Sequence, residues 1–361
     1  VTDAAPASIL YVGTLWHGGT ALARCEALRE LGREVVTFDT TDYLAKAGWF
    51  TRQLGFRLSA GPGVRRLNED LLTLARSLPA RRWVVWIDKG LWIYPDTVAS
   101  LRRSLDAVMV HYTPDPQVVF QPEKLRHFLG AVPLYDVLFT TKPFEVDAYL
   151  SSGARNLILV HQSYDDRRLQ PREVTPPDRQ RLGSEVCFIG QYTDHYAVLL
   201  EAAVATGARV RFWGPNWRRR LSRHPSLRSA FAGDGVWGED YAIALNATDI
   251  ALCFLSKRYP ESTTTRTFEI PGCGTFMLAE RTPEHAALFR EGEEAAFFGT
   301  PDELAAAIRQ YLAHPAERRR IAAAGHARAL RDGHGDRARM QAMLVEVDAV
   351  ATRQARGGGV T

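Results

Sequence analysis

Two glutamates with seven residues between them, Glu261 and Glu269, bracket a run of threonines and an arginine in YPESTTTRTFEIPGCGTFMLAE, residues 259–280. The run just before it, DIALCFLS (249–256), is apolar and β-rich, so it reads as a buried parallel strand. Residues 257–263 then form the loop at its carboxyl end, and a helix is expected from about Thr264 to Cys273. The first N–H groups of such a helix are unpaired and its dipole end is positive, which suits a diphosphate. Lys257, Arg258 and Arg266 add positive charge at the same point, and Thr264 and Thr265 add hydroxyls. Glu269, three residues beyond Arg266, falls on the same helix face, where a carboxylate can accept both hydroxyls of a ribose. Taken singly, each residue fits a solvated helix start with capping threonines and a surface Arg–Glu pair. Their convergence at the mouth of a buried strand favours a ligand site.

Other candidates sit at the ends of other apolar runs. Gly190 and Gln191 follow EVCFIG, where either a phosphate rests or a turn simply needs a glycine. FWGPNW and GVWGEDY place Trp213 and Trp237 near the same ligand; we expect core rings, with the backbone at 236–238 free for a base. In GTLWHGGTALARC, Gly18 and Gly19 allow close approach of a ligand and Thr20 can cap a helix, with His17 in the loop as a polar lining residue. The loop lacks G-x-G-x-x-G, so a dinucleotide fingerprint is not supported. His111 and Asp115 close the strand of VHYTPDP and are expected to face a crevice, while His161 reads as structural.

These positions require elements to hold them. Short β-rich runs alternate with helical patterns along all 361 residues, which predicts α/β architecture with parallel sheets. Strands are expected at 8–13, 34–40, 82–88, 106–113, 136–141 and 156–162, then at 185–190, 208–214, 235–238, 249–256, 275–280 and 294–300. The polar, proline-bearing stretch 163–184 reads as a linker. Two doubly wound domains follow, 1–162 and 185–335, with a last helix from about 336 to 354 and a disordered tail. Such domains bind ligands at the carboxyl ends of their strands, in the crevice between them. The composition, 46% hydrophobic and 24% charged, supplies two cores. A formal charge of +4 is no nucleic-acid signature. Four scattered cysteines exclude a zinc knuckle by spacing. No basic leader and no apolar run of spanning length is present, so a soluble cytoplasmic protein is expected.

The spacing of Glu261 and Glu269, followed by GCGTFMLAE, resembles the E-x7-E element of retaining GT-B glycosyltransferases. RTFEIPGCGTFMLAERTPEHAALFREGEEAAFFGTPDEL further resembles the C-terminal domain of the CgeB-like members, of the group 1 glycosyltransferase type, over roughly residues 185–340. The first half resembles them more loosely, through YVG…ALRELGREV and YDVLFTTKP. The resemblance implies a GT-B fold, with a first domain for the acceptor and a second for a nucleotide-sugar donor. It implies that Glu269 holds the ribose, that Glu261 faces the transferred sugar, and that the 262–266 loop holds the diphosphate. Gly190, Gln191, Lys257, Arg266, Thr264, Thr265 and Trp237 would complete the donor site, and Gly18, Gly19 and Asp115 the acceptor side. It makes His111 the histidine that touches the donor sugar in retaining relatives, and His17 the position of the base in inverting ones. One departure is STTTRT, where broader members carry glycines.

No D-x-D occurs, so the leaving group must be met by Lys257, Arg266 and a helix end, with no metal and no cofactor beyond the donor substrate. The acceptor is open: a saccharide, small molecule, lipid-linked group or protein. The basic run NWRRRLSRHPSLR (216–228) lacks interleaved aromatics, which argues against nucleic acid and leaves peripheral contact with anionic lipid open. Rival readings are a sugar-nucleotide 2-epimerase of the same architecture and a non-catalytic sugar-nucleotide binder. The epimerase needs a carboxylate acid/base set in the first domain, and the sequence offers no clear pair.

Overall fold

The computed structural model describes residues 7–45, 61–118 and 126–357. They form two compact units, 1–161 with 337–361, and 162–336. Each is built on a six-stranded, all-parallel sheet covered by helices on both faces, the α/β doubly wound arrangement that the alternating runs predict. The expected tail at 358–361 lies outside the described residues.

In the first unit the strands are β1 (Ser8–Gly13), β2 (Val35–Asp39), β3 (Trp83–Asp88), β4 (Val108–Thr113), β5 (Val137–Thr140) and β6 (Leu157–Leu159), in the order β2-β1-β3-β4-β5-β6. β1, β3 and β4 are buried along their whole length, as continuous apolar runs in a parallel sheet must be. One face packs Leu10, Val85 and Met109 against Leu71, Val98 and Leu101 from the helices Pro62–Ser77 and Pro95–Leu105. The other packs Ile9, Trp86 and Val110 against Met340, Met343 and Val347. Those three come from the long helix Asp336–Gly357. The C-terminal helix is therefore part of the first unit's core rather than an appendage of the second, because its apolar stripe covers this sheet face together with Cys25, Ala27 and Leu28 of the helix Thr20–Glu30.

The second unit contains β7 (Ser184–Ile189), β8 (Val210–Trp213), β9 (Phe231–Gly233), β10 (Thr248–Cys253), β11 (Met277–Glu280) and β12 (Ala296–Phe298), in the order β12-β11-β10-β7-β8-β9. Two expectations change here. The strand read at GVWG lies instead at Phe231–Gly233, since Gly233 and Gly238, at φ of 152° and 59°, break extension on either side of Trp237. The stretch 163–184 is not a free linker. Tyr164 and Leu169 are buried, Tyr164 bridges Gly335, and Pro176–Leu182 forms a helix capped by the Thr175 hydroxyl. Isolated anchors in an extended run and a seven-residue helix leave no periodicity for a sequence to show.

Candidate active site

In each sheet the strand order reverses direction once, between β1 and β3 and between β7 and β10. At such a point the flanking connections leave to opposite faces and open a crevice at the carboxyl ends.

The second unit's crevice gathers most of the expected donor residues. Ile189 and Gly190 end β7, and Arg266 reaches across to donate from Nη1 to the Ile189 carbonyl at 2.9 Å. Gly190 must be glycine: a Cβ there would lie 2.6 Å from the Phe188 ring. Its carbonyl accepts from the Trp217 indole at 2.8 Å and lies against Gly214, where a Cβ would sit 1.8 Å away. Gln191 is exposed beside it. The helix after β10 is Arg266–Gly272, shorter than expected, and Pro271 in its last turn cannot donate to the Thr267 carbonyl, so the helix loses one i→i−4 bond where it ends. Glu269 is not ion-paired with Arg266. Its Oε2 accepts a 2.5 Å hydrogen bond from the Tyr241 hydroxyl. Burial raises the Glu269 carboxyl above its ordinary value, against the lowering effects of Tyr241 and Arg266.

The threonine run is explained in part by local structure. The Thr264 hydroxyl accepts from the Arg266 N–H at 3.1 Å, and Thr267 Oγ1 accepts from the Thr264 N–H at 3.1 Å. Thr265 flanks the helix with no side-chain cap bond, and Ser262 accepts at its carbonyl from Thr282. Glu261 is half-buried in the loop ahead of the helix, its N–H bonded to the Tyr259 carbonyl at 2.8 Å. Thr267 also bonds Nε2 of buried His285 at 2.9 Å, while Nδ1 of that ring donates to the Glu280 carbonyl at 2.7 Å.

Glu280, which sequence reasoning missed, is the hub of the crevice. Its carboxylate accepts from the Leu255 N–H at 2.6 Å and from His195 Nε2 at 3.1 Å, and is ion-paired with Lys257 Nζ at 2.5 Å. It thus joins the ends of β10 and β11 to the helix after β7, and it fixes Lys257. The available signal was an acid closing the apolar run TFMLAE. Tyr241, also missed, lay in sight within GVWGEDY.

The first unit's crevice is a cavity of about 240 Å³ lined by Thr14, Thr40, Asp88, Lys89, Trp92 and Asp115 among others. Lys89 and Gly90 are both left-handed, at φ of 65° and 59°, a strained turn placed at a ligand-sized space. Lys89 Nζ pairs with Asp115 at 2.6 Å. Burial would raise the Asp115 carboxyl, but Lys89, with Lys142 and Arg24 behind it, holds it below its ordinary value. Asp88 is the buried floor. Its Oδ2 accepts from Arg24 Nε at 2.9 Å and from the Tyr11 hydroxyl at 2.7 Å, and its buried Oδ1 has no hydrogen-bond partner among the described residues.

Two expectations, those for His111 and the Trp237 ring, fail on geometry. His111 does not face a crevice: it is fully buried, donates from Nε2 to the Lys89 carbonyl at 3.0 Å, and packs against Phe128 and Tyr135. Burial pushes its ring down to about 4, so it is a neutral core residue. Trp237 is not core: 58% of it is exposed, with its ring laid over Gly235, whereas Trp213 is buried as expected. Gly18 and Gly19 shape the turn before the helix Thr20–Glu30, with Gly18 at φ 88° and Gly19 bonded to the Trp16 carbonyl, while His17 is exposed on that turn. None of these three is among the residues lining the cavity of Asp88 and Asp115.

Residues 195–345 match a family described as glycosyl transferase-like. No curated protein matches the sequence significantly. Among solved structures the chain is similar to HepE of Anabaena in complex with UDP and glucose, at 14% identity and a TM-score of 0.63, covering 95% of this chain and 99% of that one. It is similar to sucrose-phosphate synthase of Thermosynechococcus elongatus, at 16% identity and a TM-score of 0.66, covering 98% and 100%. It is also similar to α,α-trehalose 6-phosphate synthase of Burkholderia multivorans, at 11% identity and a TM-score of 0.67, covering 99% of each. The fold is GT-B. Together with the glycosyl transferase-like domain it supports a transferase enzyme of that class. Among the described residues no helix is long and apolar enough to cross a membrane.

Proposed function

We propose that the protein is a CgeB-like glycosyltransferase that takes a sugar from a nucleotide diphosphate, retains its anomeric configuration and needs no divalent ion. The observation that carries this reading is the crevice between β7 and β10. There a half-buried carboxylate oriented by Tyr241, a half-buried arginine and a glycine crossing converge at the point where the strand order reverses. The UDP complex of a structural neighbour is consistent with a nucleotide donor.

In this reading Glu269 accepts the ribose hydroxyls, and Arg266 and Lys257 face the diphosphate. Their charge is fixed before the reaction by the Ile189 carbonyl and by Glu280, so little reorganisation accompanies departure of the phosphate. Glu261 orients the sugar. The acceptor oxygen forms its bond to the anomeric carbon as the carbon–phosphate oxygen bond breaks, and the departing phosphate takes the acceptor's proton on the same face. No protein base is required for this step, and the buried His111 does not take the sugar-contacting role expected of it. The acceptor end binds in the cavity of Asp88 and Asp115. These two carboxylates are neutralised by Arg24 and Lys89, which disfavours the acid/base pair an epimerase would need.

A thermal-shift panel of UDP-, GDP-, TDP- and CDP-sugars tests the reading; one donor should stabilise the chain strongly, and no response to any of them would remove it. Turnover with that donor should survive EDTA. Complete loss on chelation, restored by magnesium or manganese, would overturn the metal-independent leaving-group chemistry.

A further inference from the structure

We infer that the second unit carries a separate site for a phosphate-type oxyanion, at the end of its sheet opposite Glu269. A cavity of about 220 Å³ opens there, at the amino ends of β10 and β11, lined by Arg172, Asn246, Asp249, Thr275, Arg318 and Arg319 among others. Three guanidinium groups meet one lining carboxylate, Asp249, so the space has an excess of positive charge. Arg318 is the fixed wall. Its side chain is 10% exposed, and it is clamped by the Tyr311 carbonyl at 2.6 Å and by Asp249 at 2.5 Å.

Arg172 donates to the Arg168 carbonyl at 2.7 Å and to the exposed Glu239 at 3.1 Å, leaving a buried Nε with no partner. Arg319 makes no ion pair among the described residues and is exposed at the rim. Each guanidinium offers five N–H donors in a planar fork, and these three spend few of them on the protein. Asp249 balances Arg318, and Glu239, outside the lining, pairs with Arg172, so the exposed Arg319 and the unpartnered Arg172 Nε leave donor capacity for an anion. Oxyanions with tetrahedral, multiply accepting geometry use such forks best. Thr275 anchors the wall by donating to the Leu245 carbonyl at 2.9 Å, and Asn246 holds the Arg172 backbone N–H at 3.0 Å, so the cavity is shaped before any ligand arrives. β10 runs from Thr248 to Cys253, and at about 3.3 Å per residue it separates the cavity at its amino end from Lys257, which follows its carboxyl end.

The site does not depend on the donor reading, and its test is independent of activity. Calorimetry of the full chain with inorganic phosphate and with pyrophosphate, at low ionic strength, should show saturable binding. Arg319→Glu should weaken it at least about tenfold with an unchanged unfolding midpoint, because that side chain supports nothing in the fold. Arg172→Gln combined with Arg319→Gln should abolish it, and Arg266→Gln should leave it in place. Absence of saturable binding in the millimolar range overturns the proposal. So does binding that survives Arg319→Glu and disappears in Arg266→Gln, since the ion would then belong to the crevice between β7 and β10.

Discussion

The two crevices share a plan and differ in charge. Each lies where a parallel sheet reverses its strand order, and each holds a lysine pinned by a carboxylate, Lys89 by Asp115 and Lys257 by Glu280. Each also has a buried histidine bonded to the main-chain carbonyl of one member of that pair, His111 to Lys89 and His285 to Glu280. Beyond this the chemistry separates. The second crevice adds a half-buried arginine and a close glycine crossing, which suit a phosphate chain. The first adds a carboxylate floor, threonine hydroxyls and a tryptophan wall, which suit a hydroxylated group. The shared plan gives the position of a site, and the residues added to it give its ligand class.

The largest contrast lies beneath the first crevice. Arg24 and Asp88 have side chains 3% and 1% exposed, and their pair has no counterpart under the second. Arg24→Ala leaves a carboxylate buried without its cation and should cost about 3–5 kcal/mol in urea unfolding of the first unit. A cost under about 1 kcal/mol would mean that water or Tyr11 alone satisfies Asp88.

The buried histidines make the next contrast. The His111 ring stays neutral down to about 4, whereas an unfolded histidine takes a proton near 6.5. Between those values the unfolded chain binds more protons than the folded one, so stability falls as pH drops. The loss is roughly 3 kcal/mol when complete. His285 is lowered by burial too and acts in the same direction. His111→Gln should flatten the acid limb of stability against pH; an unchanged slope would show that other groups carry it.

Glu269 comes third. Glu269→Ala should weaken nucleotide binding by roughly 2–4 kcal/mol through lost charge-assisted bonds, read by calorimetry with UDP or GDP. Tyr241→Phe should lose less, since it frees the carboxylate's orientation and keeps its charge. Equal affinity in Glu269→Ala and the parent would take Glu269 out of the site.

How much of this was legible depended on range along the chain. Strand positions and the loop after β10 followed from continuous apolar runs, and with them the placing of Arg266 and Glu269. The partners that complete the sites are far away in sequence: Tyr241 lies 28 residues from Glu269, Asp88 lies 64 from Arg24, and Glu280 lies 85 from His195. No local pattern encodes those pairs. His111 was misread for a different reason. A strand end predicts that a residue is near a crevice, but β4 is apolar on both faces, so there is no alternation to say which way its side chains turn. Trp237 misled because a tryptophan between two glycines reads as core by type, while the glycines set a turn that leaves the ring outside.

The smallest effect divides the two lysines that look alike. Both are substantially exposed, 40% for Lys89 and 54% for Lys257, so neither pair should add more than about 1 kcal/mol to stability. Their difference should appear in binding alone. Lys257 stands beside Arg266 in the crevice read as the diphosphate site, and Lys257→Gln should weaken nucleotide diphosphates about fivefold while barely changing the monophosphate, since it faces the distal charge. Lys89→Gln should leave both nucleotides untouched and raise the acceptor's KM, because it opens the rim of the other cavity and releases Asp115. Calorimetry of UDP against UMP on the two variants reads the first part, and initial rates at saturating donor read the second. If Lys89→Gln weakens the nucleotide as much as Lys257→Gln does, charge does not sort the two crevices into donor and acceptor.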